Sequence, residues 1–273
     1  EETVERGGLR VYTTLDLELQ KMAQASVSAE VAGLARMKVG NGAAMITKPN
    51  TGEILAMVGS RDYFDTAHDG QVNVTIALRQ PGSSVKPLMY ATTFEDKTLN
   101  PGTVLLDVPT CFAVPGQKDY CPKNYGGDFK GPVSVRQSLG NSLNITAVKA
   151  LTTVGVTRFM QLANQMGITT WTKPENYGLS LTLGGGEVRM IDMAQAFSVL
   201  ANQGVKVPLT PILKIEDYRG TVLESVDVAD RQQTLAYLTE NDDESFSGEL
   251  ERVLHRAPAY LISHIMQDNN ARI

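Results

Sequence analysis

The stretch Arg79-Gln80-Pro81-Gly82-Ser83-Ser84-Val85-Lys86-Pro87 carries more chemical information than any other part of this chain. Pro81-Gly82 reads as a turn, and the residues up to Tyr90 read as the start of a helix. Residues i and i+3 share a helix face, which makes Ser83 Oγ and Lys86 Nζ candidate neighbours. A serine hydroxyl is a weak nucleophile and requires an adjacent base. A lysine fills that role only when burial or nearby positive charge lowers its pKa from about 10.4. The helix start adds backbone N–H donors and a positive dipole end, both suited to a developing oxyanion. Alone, Ser-x-x-Lys is a common pair that a capped surface helix would also contain. The flanking Pro81-Gly82 and Pro87 set this one apart, and Pro87 is tolerated in a first turn because that N–H is free anyway.

Working outward, the second candidate is Ser142-Leu143-Asn144. Residues i and i+2 do not share a helix face, but they project together from a tight turn. The preceding Ser138-Leu139-Gly140-Asn141 is rich in turn formers. By itself this segment is also what a solvated inter-helix turn looks like.

The rest of the chain supplies a mixed architecture. Val11 to Asp16 predicts a strand running into a helix start, with Thr14 or Asp16 as cap. Leu17 to Met37 has apolar groups at helical spacing (Leu19, Met22, Ala23, Val27, Val31, Leu34), ended by Gly40 and Gly42. Ala43 to Thr47 and Ile54 to Val58 flank a Pro-Asn-Thr-Gly turn and predict a hairpin. Both strands carry apolar groups on both faces, so helices should cover them, the first helix among them. Asn100 to Gly131 is loop-rich. Val133 to Leu151, Val156 to Met166, Val188 to Asn202 (closed by Gly204) and Ala257 to Asp268 predict helices, and Ile212 to Leu223 a strand pair around Arg219-Gly220. The acidic run Glu240 to Glu244 reads as a solvated loop.

Composition narrows the class. The 273 residues are 42% hydrophobic and 20% charged, with 24 Gly and 12 Pro. That excludes collagen-like, disordered and disulfide-scaffold chains, and the length allows one large domain or two small ones. A net charge of −5 argues against nucleic-acid binding, which depends on neutralising phosphates. No run of about 20 apolar residues is present to span a membrane. The chain opens on Glu1 with a polar lead-in and no cleavable signal pattern, so we read it as cut from a longer precursor, residues 1–8 being a linker. Cys111 and Cys121, ten apart in a loop, are either two unrelated thiols or a small-loop disulfide that needs an oxidising compartment. His68, His255 and His264 lie outside any zinc-ligand spacing.

Together the two candidate segments become specific. Arg79 to Pro87 (RQPGSSVKP) and Ser142 to Ala147 (SLNITA) resemble the first and second active-site motifs of penicillin-binding proteins. Leu9 to Asp16 resembles the opening of the transpeptidase domain of class A, bifunctional members. Tyr120 to Tyr125 resembles their Tyr-x-Pro-x-Asn-Tyr loop, and Leu181 to Val188 their glycine turn before a helix of the form Met193-Ala194-Gln195-Ala196-Phe197. The likeness runs in order from about residue 8 to the end. One departure stands out: the family's third motif, Lys-Thr-Gly, is missing, since Lys97-Thr98 is followed by Leu99. Chain order puts it beyond residue 273, on C-terminal strands that either a separate C-terminal fragment carries or that are absent.

The resemblance implies an α/β (α+β) fold, penicillin-binding-protein/serine β-lactamase-like, spanning residues 9–273. A central antiparallel sheet covered by helices would occupy about 9–65 and 204–273, and a mostly helical lobe with the motifs about 66–203. It implies a serine D,D-transpeptidase that crosslinks peptidoglycan stem peptides ending in D-Ala-D-Ala and is acylated by β-lactams. Ser83 would be the nucleophile, Lys86 the base and Ser142 the proton relay. Asn144, Asn124, Tyr125, Gly185 and Gly186 would bind substrate, with no cofactor or metal. An upstream glycosyltransferase domain and a membrane anchor would place the chain on the extracytoplasmic face of the cell membrane. The alternatives are a serine β-lactamase, or a non-catalytic β-lactam sensor or structural domain of the same fold.

Overall fold

The computed structural model describes residues 7–114, 116, 118–241 and 248–272. In chain order its main elements are β1 (Arg10–Thr13), α1 (Leu17–Gly33), β2 (Ala44–Lys48), β3 (Glu53–Val58), α2 (Lys86–Glu95), β4 (Val104–Asp107), β5 (Gly131–Ser134), α3 (Val135–Gly140), α4 (Asn144–Val154) and α5 (Val156–Met166). There follow α6 (Met190–Ala201), β6 (Val205–Lys206), β7 (Ile212–Glu216), β8 (Val222–Ser225), α7 (Val228–Glu240), β9 (Glu251–Arg252) and α8 (Arg256–Gln267). All the strand ladders are antiparallel, and the chain divides into two compact units.

The first unit takes in residues up to Leu78, Arg189–Ser198 and Val205–Arg252. Its sheet has the order β1-β7-β8, with Val11 opposite Ile215 and Lys214 opposite Ser225. The β2–β3 hairpin adjoins it through a bridge between Glu53 and Thr210. Burial alternates along β3, with Ile54, Ala56 and Val58 inside, as a strand with one covered face requires. The cover is α1: Ala23 joins Ala56 and Val58 in one core, with Leu19 and Val27 packed against it. Asp16 caps α1, its carboxylate accepting from the Glu18 and Leu19 N–H groups. The helix stops at Gly33, earlier than the predicted Met37. Ala35–Met37 tighten into a 3-10 turn that Lys38 ends in the left-handed region, and Met22 and Leu34 are exposed.

The second unit comprises Arg79–Val188, Val199–Gly204 and the residues from Val253 on. Its axis is α2, in which every residue from Lys86 to Phe94 is buried. A helix buried all round needs partners on every side, and α3, α4, α5, α8 and a 3-10 segment at Leu179–Leu183 supply them. The predicted helix from Val133 to Leu151 is three elements. Gly131–Ser134 pairs with β4, then Ser134 and Gln137 form a capping box that starts α3. Ser142, at φ +53°, breaks the chain before α4.

The lobe boundaries differ from the expected ones. Residues 66–78 and 189–198 belong with the sheets, where the Gln195 side chain bonds the Val207 carbonyl and the Leu209 N–H. Helix α8 belongs with the helical unit, because Ala259, Ile262 and Ile265 are fully buried there against α2 and α3. Of the acidic run, Glu240 closes α7 and residues 242–244 lie outside the described residues.

Arg231, 3% exposed, ties the first unit together. Its guanidinium donates to the Thr51 carbonyl at 2.9 Å and the Pro208 carbonyl at 3.1 Å, and pairs with Glu249. Arg231→Leu strands both carbonyls without donors. We expect it to lower the unfolding free energy by about 3 kcal/mol in chemical denaturation; a loss below about 1 kcal/mol would show that this residue is dispensable.

Candidate active site

The first motif is set by a turn and a short helix. Gly82 at φ +58° lets the chain turn after Pro81, and Gly82–Val85 form a 3-10 turn that runs into α2 at Lys86. Ser83 therefore stands one 3-10 turn before the lysine, where side chains at i and i+3 eclipse, and the Lys86 N–H bonds the Ser83 carbonyl. Ser84 donates its hydroxyl to the Pro81 carbonyl at 2.6 Å, which closes the turn. The Ser83 side chain is exposed.

Lys86 is 1% exposed. Its Nζ donates to the Ser142 carbonyl at 2.6 Å, to Ser142 Oγ at 3.1 Å and to Asn144 Oδ1 at 2.6 Å. The two motifs, far apart in sequence, thus meet at one amine. Among the described residues no carboxylate pairs with it, so burial pulls the ammonium down from the ordinary 10.5 to about 8. An ammonium uses all three protons on these acceptors; a neutral amine keeps a lone pair to accept one. At near-neutral pH this lysine is close to releasing its proton, the property a general base needs.

The turn carrying Ser142 and Asn144 is held from outside. Leu143 provides no side-chain cap for α4. Asn124 fills that role, its Oδ1 accepting from the Asn144 N–H at 2.8 Å, while Asn144 Nδ2 donates to the Lys123 carbonyl at 2.7 Å. Asn124 is 8% exposed, and its Nδ2 is engaged by the Asp107 carboxylate and the Asp128 carbonyl. Expected as a substrate contact, it lies beneath the site with both ends of its amide engaged. Tyr125, from the same loop, is fully exposed. Upstream, Cys111 and Cys121 are disulfide-bonded, clamping a ribbon in which Phe112 and Tyr120 exchange both backbone hydrogen bonds.

The glycine run is packed tightly, and its decisive member is one that the sequence did not single out. A Cβ on Gly184, at φ +87°, would stand 2.3 Å from the Gly82 N, against the backbone that precedes Ser83. On Gly185 it would meet the Ser180 Oγ at 2.8 Å, and on Gly186 the Leu181 and Trp171 side chains at 2.6 and 2.7 Å. Three consecutive glycines give no local sign of which one touches the turn. Among the described residues no group of three or more His, Cys, Asp or Glu is placed to hold a metal.

Two outcomes follow from this geometry. Gly184→Ala should cost about 2–4 kcal/mol in thermal unfolding, because backbone rather than a flexible side chain must move; Gly185→Ala should cost clearly less, and equal losses would remove the special role of Gly184. For Lys86, the unfolded chain takes up its proton near 10.5 and the folded protein near 8. Folding is therefore penalised fully below pH 8, by about 3 kcal/mol, and the penalty fades as pH rises from 8 to 10.5. Lys86→Met should gain stability relative to wild type at pH 7.5 compared with pH 10; a difference independent of pH would show that the amine is not desolvated.

Comparison with known proteins gives the family. The family described as penicillin binding protein transpeptidase domain matches residues 42–242. Penicillin-binding protein 2D of Bacillus subtilis (strain 168) is 35% identical over 224 residues, 81% of this chain and 31% of that protein. Penicillin-binding protein 1C of Escherichia coli (strain K12) is 32% identical over 198 residues, 71% of this chain and 24% of that protein. The chain thus spans between about a quarter and a third of these relatives. Among solved structures, penicillin-binding protein 1A from Haemophilus influenzae aligns with a TM-score of 0.66 at 26% identity, covering 82% of this chain and 34% of that one. PonA1 from Mycobacterium tuberculosis in complex with penicillin V aligns at 0.73 and 20% identity, over 97% of this chain and 65% of that one, a likeness of fold. With the family matched over most of its length and its two motifs joined at one buried amine, the chain belongs to the penicillin-binding-protein transpeptidase domain family.

Proposed function

We propose that this chain is the acylating part of a serine D,D-transpeptidase that crosslinks peptidoglycan stem peptides. The observation that carries the reading is the buried Lys86 amine, one turn after an exposed serine and bonded to Ser142 and Asn144. Ser83 Oγ attacks the carbonyl of the terminal D-Ala-D-Ala bond as its proton passes to neutral Lys86 Nζ. The tetrahedral oxyanion sits against the Ser83 backbone N–H. Ser142 Oγ, 3.1 Å from Nζ, relays the proton to the departing amine, and D-alanine leaves. The Ser83 ester is then attacked by the amine of a second stem peptide, the amide bond forms, and Ser83 recovers a proton through Lys86. Asn144 orients the substrate amide and helps to set Lys86.

A β-lactam presents the same kind of carbonyl and acylates Ser83, with slow release. Among the described residues no carboxylate hydrogen-bonds to Ser83, Lys86, Ser142 or Asn144, which supports a long-lived acyl-enzyme over a β-lactamase. The reading includes an upstream glycosyltransferase domain joined through residues 1–8, a third motif supplied after residue 273, and a location on the extracytoplasmic face of the membrane, where an oxidising environment suits the Cys111–Cys121 bond. No helix among the described residues is long and apolar enough to cross a membrane.

The test is labelling of the full-length protein with a fluorescent penicillin. Ser83→Ala should abolish the label, and Lys86→Ala should slow acylation by about 10²–10⁴-fold. The wild-type rate should rise with pH to half its maximum near pH 8, because the neutral amine is the reactive form. Label surviving Ser83→Ala, or a rate flat through pH 8, would overturn the assignment, and label lost within seconds would indicate a β-lactamase.

A further inference from the structure

Asp107 is a buried acidic side chain for which the proposed chemistry has no use. It ends β4, is 0% exposed, and has no cationic partner among the described residues. Its carboxylate accepts from Asn124 Nδ2 through both oxygens, at 3.0 and 2.9 Å, and from the Lys130 N–H at 2.9 Å. A buried carboxylate is costly unless its lone pairs are occupied, and an ionised one only accepts. It therefore dictates which way the Asn124 amide faces. The NH2 must point at Asp107 and at the Asp128 carbonyl, also 2.9 Å away. The carbonyl oxygen must then point the other way, where the Asn144 N–H stands at 2.8 Å. All three neighbours agree on one orientation. Asn144 is the first residue of α4, and its own Oδ1 is bound to Lys86 Nζ at 2.6 Å.

We propose that Asp107 is a positioning residue for acylation: by orienting the Asn124 amide, it pins the first N–H of α4 and so aims Asn144 Oδ1 at the Lys86 amine. The relay runs from a strand residue, through a loop amide, to a helix terminus and then to the base. Without the carboxylate, only the Asp128 carbonyl and the Asn144 N–H hold the Asn124 amide, and the loss of the two acceptor oxygens behind its NH2 loosens the cap. The start of α4 then shifts, and Asn144 and Ser142 leave the amine together. The proposal rests on the reading of Lys86 as the base that activates Ser83.

A reciprocal exchange tests it. Asp107→Asn changes no shape but sets an NH2 group at position 107 against the Asn124 NH2 or the Lys130 N–H, which weakens the hold on the Asn124 amide. Asn124→Asp sets two acceptors face to face. The double variant Asp107→Asn with Asn124→Asp restores one donor and one acceptor between the two side chains and leaves the second oxygen of position 124 for the Asn144 N–H, although its first oxygen then also faces the Asp128 carbonyl. In the full-length protein, Asp107→Asn should lower the saturating acylation rate with fluorescent penicillin about 10- to 100-fold. Non-covalent affinity, read in the Ser83→Ala background, should change less than about threefold, and the double variant should acylate faster than Asn124→Asp alone. Rates are compared at temperatures where each variant remains folded by circular dichroism; if Asp107→Asn fails to fold, Asn124→Ser breaks the same link from the loop and should show the same loss. Unchanged acylation in a folded Asp107→Asn variant, or a folded double variant no faster than Asn124→Asp alone, would overturn the proposal. A wild-type protein that takes up no label would instead overturn the transpeptidase reading beneath it.

Discussion

A lysine amine that has been taken out of water without a carboxylate beside it is the constraint on which the site depends. An ammonium there must satisfy three N–H donors or pay the full cost of desolvation. Lys86 meets that demand with the Ser142 carbonyl, Ser142 Oγ and Asn144 Oδ1. Because these are neutral acceptors, they stabilise the charge less than an anion would, and burial keeps the pKa near 8. An aspartate in the same place would hold the lysine as a permanent cation and deny it the neutral form that a base needs. The same bonds that make the buried lysine tolerable also gather the serine and asparagine around it.

Everything near the amine serves to keep that geometry. Helix α2 is buried all round and cannot rotate Lys86 away. Ser142 occupies the left-handed region, unusual for a side chain other than glycine, and this directs its carbonyl and hydroxyl at one point. Gly184 allows the backbone of its turn to rest on Gly82. Asn124 caps α4 from a separate loop, upstream of which the Cys111–Cys121 bond closes a short ribbon. Each contact is modest, and together they hold the groups in place before substrate arrives, which is where positional catalysis gains its energy.

Several elements are readable from local pattern. The hairpin around Pro49-Asn50-Thr51-Gly52, helix α5 and helix α8 lie within a residue or two of where periodicity and turn chemistry put them. The failures have a common form. Within Val133 to Leu151 the turn formers from Ser138 to Asn141 mark the break that the backbone of Ser142 makes, but the strand at its start depends on the pairing of Gly131–Ser134 with β4. Tail helix α8 has an apolar face in any context; that the face packs on α2 and α3 depends on where the chain returns. Asn124 was visible as part of a recognisable loop, yet its buried, fully engaged amide was not, because the partners at Asp107 and Asn144 lie 17 and 20 residues away.

Sequence by itself determined the chemical identity of the site: Ser83 and Lys86 at a spacing of one turn, and Ser142 with Asn144 in a turn-forming segment, each legible because spacing and turn propensity are local properties. Only the tertiary structure decided that these two segments share one amine, that Gly184 rather than its neighbours touches the turn before Ser83, and that a buried carboxylate at Asp107 stands behind them. The physical reason is that desolvation and hydrogen-bond satisfaction depend on all the atoms surrounding a group, and those atoms come from distant parts of the chain.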